Sequence, residues 1–278
     1  MKPRAFSLAV VALGLIALAA LCAPWLASQD PHDLAQLSLA HARLAPFAAA
    51  PDGRWYLLGT DDQGRDMTAA ILYGLRTSLG VGLSATLAAL AIGLIGGLGA
   101  ALLRGWPEAL ILRLVDLQLS FPAILVAIVL IATLGEGTGK VVSAVVIAQW
   151  AYYARTARAV ARVEIERGYV AAARGLALPQ WRILLFQLIP NCLPPMLAVA
   201  TVQMAAAISL EATLSFLGLG VPLTRPSLGL LIANGAHYVF AGQYWMSLAP
   251  GVALLALILS IQCVGEQWVE RLGPQGQR

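Results

Sequence analysis

Six blocks of mostly apolar residues, at 6–26, 77–103, 109–134, 141–160, 193–217 and 246–269, constrain this chain more than any other feature. A helix needs about 20 such residues to cross the hydrocarbon core of a bilayer. Charged residues are only 12% of the 278, against roughly 25% in a soluble domain. So few charges cannot clothe a water-facing surface. The expected fold class is therefore an all-α integral membrane protein with six transmembrane helices.

The first block begins like a signal peptide, with Lys2 and Arg4 ahead of it. Its apolar run is longer than the roughly 7–15-residue core of such a peptide. Bulky Leu21 also precedes Cys22, where a lipoprotein signal would carry a small residue. An uncleaved first span is expected.

Lys and Arg set sidedness. With six spans both termini share one side. That side collects Lys2, Arg4, Arg104, Arg113, Arg155, Arg158, Arg162, Arg167, Arg174, Arg182, Arg271 and Arg278. The other holds Arg43, Arg54, Arg65, Arg76, Lys140 and Arg225, so the termini are expected in the cytoplasm. The net charge of +4 tracks this sidedness and gives no reason to invoke nucleic acid.

These assignments divide the chain into a first helix with a short cytoplasmic start (1–27), an extracytoplasmic loop (28–76), a five-helix core (77–270) and a tail (271–278). A cytoplasmic stretch, 161–192, interrupts the core. Unstructured loops of that length are uncommon and usually functional. Ala171, Ala172 and Ala173 favour helix. Gly175 and Pro179 then interrupt it, and a second helix is expected from Pro179 to Pro190. Alanines keep a helix face narrow for close approach of another backbone, and Arg167 and Arg174 offer directional contacts to acidic groups. On residues alone, an ordinary surface loop with two short helices remains equally open.

Gly135-Glu-Gly-Thr-Gly-Lys140 superficially resembles a phosphate-binding loop, but Leu134 stands at the first glycine position and Val141 follows the lysine. It reads as a short turn, so ATP hydrolysis by that route is not expected. Asp61, Asp62 and Asp66 lack the ligand register of a calcium loop. There Thr60 or Asp61 is expected to cap a short helix and Arg65 to pair with a carboxylate. Charges inside apolar spans are functional candidates, which singles out Asp116, expected to pair with Arg113, and Glu211, expected to face protein or water. His32, His41 and His237 are too scattered to predict a metal site. Cys22, Cys192 and Cys263 have neither metal spacing nor disulfide parity. Gly93 and Gly97 form a small-xxx-small pair for close helix packing, within the chain or with a partner.

Several ordered motifs carry a family resemblance. Tyr169, Val170, Ala172, Ala173, Arg174, Leu176, Ile183, Pro190 and Asn191 resemble the EAA segment of ABC importer permeases, in the branch serving dipeptides, oligopeptides and nickel. Leu58-Gly-Thr-Asp-Asp-Gln-Gly-Arg-Asp66 is similar to that family's outer-loop signature, carried here by Gly59, Thr60, Asp61, Gly64, Arg65 and Asp66. Arg113-Leu-Val-Asp-Leu-Gln-Leu-Ser-Phe-Pro122 resembles the start of its third span, and Glu211-Ala-Thr-Leu-Ser-Phe-Leu-Gly-Leu-Gly220 the end of its fifth. Pro222 through Gly229 also fits, with Leu228 replacing a usual tryptophan. Departures are Ala171 for a usual glutamate, Ala177 for a usual glycine with Gly175 two residues earlier, and Gln187 for a frequent histidine.

The resemblance implies a type I ABC importer permease of the second-permease branch in a bacterial inner membrane. It would form a heterodimeric pore with a homologous permease. Two ATPase subunits would bind ATP and magnesium, and an extracytoplasmic solute-binding protein would deliver the cargo. The chain itself would bind no cofactor and perform no catalysis. The coupling helix would be built from Arg167, Tyr169, Ala171, Ala172, Ala173, Arg174, Gly175 and Ala177, with Asp116 and Glu211 as gating candidates. Peptide ranks first as cargo, and nickel or a nickel chelate second. A carrier driven by an ion gradient is the alternative, but the paired broken helices of that class are not evident. Nor is the His or Cys cluster that an intramembrane enzyme would need.

Overall fold

The computed structural model describes residues 3–31, 37–50, 52–103, 105–222 and 225–272, with 3–6 and 268–272 described by backbone alone. Lys2, His32, Asp33, Arg104 and the 273–278 tail lie outside the described residues, as do the side chains of Arg4 and Arg271.

In chain order the elements are α1 (Pro3–Leu21), α2 (Ala23–Leu26), a two-stranded antiparallel ribbon β1 (Ala48–Ala49) and β2 (Trp55–Tyr56), then α3 (Met67–Leu102), α4 (Trp106–Leu119), α5 (Ala123–Leu134), α6 (Thr138–Ile165) and α7 (Gly168–Gly175). They continue with α8 (Gln180–Ile183), a π turn (Leu184–Leu188), α9 (Ile189–Phe216), α10 (Leu228–Ala236) and α11 (Trp245–Leu272). Three helical stretches, Met67–Leu102, Gln180–Phe216 and Trp245–Gln267, are long and apolar enough to cross a membrane. A fourth qualifies if α4 and α5 count together. α1 and α6 are outside that set; α6 carries Arg155, Arg158, Arg162 and Glu164 in its second half.

Three expected boundaries are corrected. The second span begins at Met67 rather than residue 77, because Asp66 caps it: its Oδ1 accepts from the Thr68 N–H at 2.8 Å. The block 109–134 is not one straight span but bends by 91° between α4 and α5. Pro122 lies at the break, where its ring disfavours helical backbone at Phe121. The helix that follows Pro179 does not stop at Pro190 but runs on into α9 and ends at Phe216. A prolyl ring collides with the carbonyl four residues back. The π turn eases this: the Ile189 N–H reaches back to the Leu184 carbonyl, and the Asn191 side-chain N–H donates to the Gln187 carbonyl at 2.6 Å. Proline thus widens the helix instead of ending it.

The core is tightest where α3 crosses α6. Added Cβ atoms at Gly93 and Gly97 would collide with Tyr153 and with the Ala154 carbonyl respectively. The small-xxx-small pair is therefore spent inside the chain. A main cluster runs from Val81, Ala85 and Ala89 of α3 through Val141 and Val145 of α6 to Met196 and Leu214 of α9. A second joins Ala20 of α1, Ile71 and Leu75 of α3, Ile208 of α9 and Leu257 of α11.

Candidate functional site

The stretch 161–192 folds as helix, bend, helix. In α7, Val170 and Ala173 are buried and pack with Ile183 of α8. The opposite face exposes Ala171, Ala172, Arg174, Gly175 and Ala177, with Leu176 at 75% exposure. A short helix is thus anchored on one side and bare on the other. Tyr169 is half-buried and donates its hydroxyl to Glu164 Oε2 at 2.8 Å. Arg167 meets Glu164 Oε1 at 3.1 Å. Burial, reinforced by the neighbouring Glu164 carboxylate, pushes the Tyr169 phenol up to about 12. Glu164 is a site residue the sequence reading missed. Its signal was available: it is a carboxylate at the end of a helix whose other late charges are arginines.

The bend lies at Ala177, not Gly175. Ala177 has φ +55°, in the left-handed region. Its N–H donates to the Arg174 carbonyl at 2.9 Å and the Leu178 N–H to the Ala173 carbonyl at 3.2 Å. These two bonds form a Schellman cap, whose left-handed position favours glycine. Gly175 lies within α7 and does not take over that role.

The Leu58–Asp66 signature is a framework. Thr60 is fully buried, donates its hydroxyl to the His41 carbonyl at 2.5 Å and accepts from the Leu44 N–H at 2.8 Å. Asp61 Oδ1 accepts from the N–H groups of Gln63 at 2.9 Å and Arg65 at 2.8 Å, closing a turn. Neither Thr60 nor Asp61 caps a helix, since Asp66 takes that position. Asp66 also receives the Ser28 hydroxyl at 2.6 Å and donates its N–H to Gln29 at 2.9 Å. Arg65 is buried. Gly59 (φ +75°) and Gly64 (φ +76°) lie against the Leu44 and Ser38 carbonyls, where any Cβ would clash. Burial pushes the Asp61 carboxyl above the usual range, against the pull of its two backbone donors.

The two charges in the spans differ. Asp116 of α4 is exposed and pairs with Arg155 of α6 at 2.6 Å rather than with Arg113 of its own helix. Beside it, Glu108 accepts from Arg158 at 2.7 Å and Arg162 at 2.5 Å. Glu211 of α9 is fully buried and faces protein. It accepts from Ser78 of α3 and Ser215 of its own helix, each at 2.8 Å. The stretch 135–137 is the turn between α5 and α6. His41 is buried against the Tyr56 hydroxyl at 3.1 Å, whereas His237 is exposed at the end of α10. Among the described residues no group of three or more His, Cys, Asp or Glu is placed to hold a metal.

Residues 89–272 match the model of the family described as binding-protein-dependent transport system inner membrane component. The chain belongs to this family. Such inner membrane components are permease subunits of ABC importers, and the chain is a multi-pass membrane protein of that kind. The chain is 34% identical to the di/tripeptide transport system permease protein DppC of Pseudomonas aeruginosa, over 94% of this chain and 85% of the relative. It is 32% identical to the dipeptide transport system permease protein DppC of Escherichia coli, over 92% and 84%. The inward-facing MetNI methionine ABC transporter superposes with a TM-score of 0.62 at 20% identity, covering 74% of this chain and 97% of that one. That likeness supports the type I importer fold for this family member.

Proposed function

We propose that this chain forms half of the translocation pathway of an ATP-driven importer of dipeptides or oligopeptides. The carrying observation is α7, anchored by Val170 and Ala173 and presenting a bare face of small residues with Arg174. A partner ATPase would seat that face in a groove, with Arg167, Tyr169, Ala171, Ala172, Ala173, Gly175 and Ala177 completing the coupling segment. A homologous permease would supply the other half of the pore. Two ATPase subunits would hold ATP and Mg2+, and an extracytoplasmic binding protein would deliver cargo to the outer framework. In this reading α1, α3, the α4–α5 pair, α6, α9 and α11 make six crossings with both termini cytoplasmic, consistent with the Lys and Arg bias. The relatives named for dipeptide and di/tripeptide transport support peptide as cargo.

ATP would drive the cycle only to the extent that it favours one state of the assembly over the other. The exposed Asp116–Arg155 pair would exchange partners between states, whereas Glu211 would pin α3 and α9 together throughout.

The test is reconstitution with the neighbouring gene products. ATP-dependent peptide uptake is expected, and Ala172→Trp should abolish substrate-stimulated ATPase activity while leaving membrane insertion intact. Normal stimulation in that variant would remove the docking assignment. Uptake that survives ATP depletion but not loss of the ion gradient would remove the importer reading.

A further inference from the structure

We propose that the groove between α5, α6, α9 and α11 is the wall along which the solute crosses the bilayer, reading it through neutral hydrogen bonds to its amide groups. This rests on the importer reading above. The groove is a cavity of about 540 Å3 into which α6 brings Gln149 and Tyr152, α9 brings Gln203, Ser209 and Thr213, and α11 brings Gln262, with Ala123 and Ile124 of α5 on its apolar side. Elsewhere these helices turn apolar groups outward, including Val129 of α5, Ile147 of α6, Leu197 of α9 and Leu255 of α11. Polar side chains facing lipid are costly, and in spanning helices they mark water-filled or protein-lined paths.

Two further observations give the groove a direction and a chemistry. A second cavity of about 350 Å3 shares Tyr152 and Gln203 and continues past Thr156 to Arg155, which Asp116 holds. The polar track therefore extends from mid-span toward the charged end of α6. Gln149 is only 3% exposed; its amide N–H donates to the Gln203 carbonyl at 3.3 Å, and its side-chain carbonyl has no partner. A buried acceptor left open is costly and calls for a donor.

No formally charged residue is among those lining the larger cavity. A peptide carries N–H and C=O groups along its whole length and a charge at each end. A charged wall would hold one end too firmly, whereas passage needs several weak sites in succession. Neutral amides and hydroxyls meet the backbone while staying indifferent to side-chain charge.

The test uses the complete reconstituted transporter with Cys22, Cys192 and Cys263 replaced and uptake retained. Single cysteines are placed in the groove (Gln203→Cys, Thr213→Cys) and on the lipid face (Val129→Cys, Leu255→Cys). A charged, membrane-impermeant thiosulfonate should modify the groove pair and block uptake while sparing the lipid-face pair. Gln203→Leu should lower uptake about fivefold to tenfold, the scale of one lost hydrogen bond, with Gln203→Asn recovering part of it. Groove cysteines that stay unmodified in an importing transporter, or that cross-link to the second permease instead, would overturn the proposal. If no ATP-dependent peptide uptake is found, the importer reading fails, and the modification pattern still decides the groove.

Discussion

Tyr169 donates its hydroxyl to Glu164 Oε2 at 2.8 Å, across the break between α6 and α7. With Arg167 on the other carboxylate oxygen, Glu164 ties the exposed helix to the end of α6. A rigid connection at that point transmits a push; a loose one absorbs it.

Tyr169→Phe removes one hydrogen bond and should weaken the local anchor by about 1 kcal/mol. Glu164→Ala should do more, since it releases both partners. Substrate-stimulated ATPase activity is expected to fall in the order wild type, Tyr169→Phe, Glu164→Ala, with similar protein levels in the membrane. The folded phenol titrates near 12 rather than 10. Its contribution is therefore complete below pH 10 and disappears as pH rises through about 12. The difference in phenolate absorbance between wild type and Tyr169→Phe should emerge only in that upper window.

Ala177 holds a left-handed conformation that costs a residue with a Cβ roughly 1 kcal/mol relative to glycine. Ala177→Gly should raise the resistance of the 161–192 segment to limited proteolysis. Ala177→Val should lower it.

Gly93→Ala and Gly97→Ala each force a methyl into α6, an overpacking cost of typically about 1–3 kcal/mol. Thermal unfolding in detergent should drop for both. Gly80→Ala is the control, because nothing lies within 4 Å of its added Cβ.

Glu211→Ala strands the hydroxyls of Ser78 and Ser215, at about 1–3 kcal/mol for each buried group left unsatisfied. The expected outcome is loss of thermal stability. Peptide uptake by the wild-type transporter should be insensitive to collapse of the proton gradient, as befits a structural pin rather than a proton carrier.

Asp61 titrates above the usual range because burial penalises its charge. A carboxyl whose folded pKa is raised contributes stability below its ordinary pKa and loses it as pH rises through the raised value. Asp61→Asn keeps the acceptor for the Gln63 and Arg65 N–H groups without that dependence. The loop around Asp61 in the variant should show a flatter pH profile in proteolysis, and Asp61→Ala should destabilise it at every pH.

Length and apolarity alone determined the membrane class, the polar interruption at 161–192 and the candidate spans, because bilayer thickness leaves few solutions for an apolar chain. The breaker residues located the bend in that segment to within a few positions. What they did there was decided by tertiary context. Pro190 continues a helix because a π turn absorbs its ring, whereas Pro122 marks a 91° break. Likewise Ala177, not Gly175, turns the chain, because the cap geometry requires a left-handed residue at that place. Partners separated by tens of residues were invisible in the sequence: Asp116 with Arg155, Glu108 with Arg158 and Arg162, and Ser78 with Glu211, 133 positions apart. Local propensity and periodicity fix which segments are helices. Only packing fixes which faces meet, and so which charges are paired and which polar side chains gather in one groove.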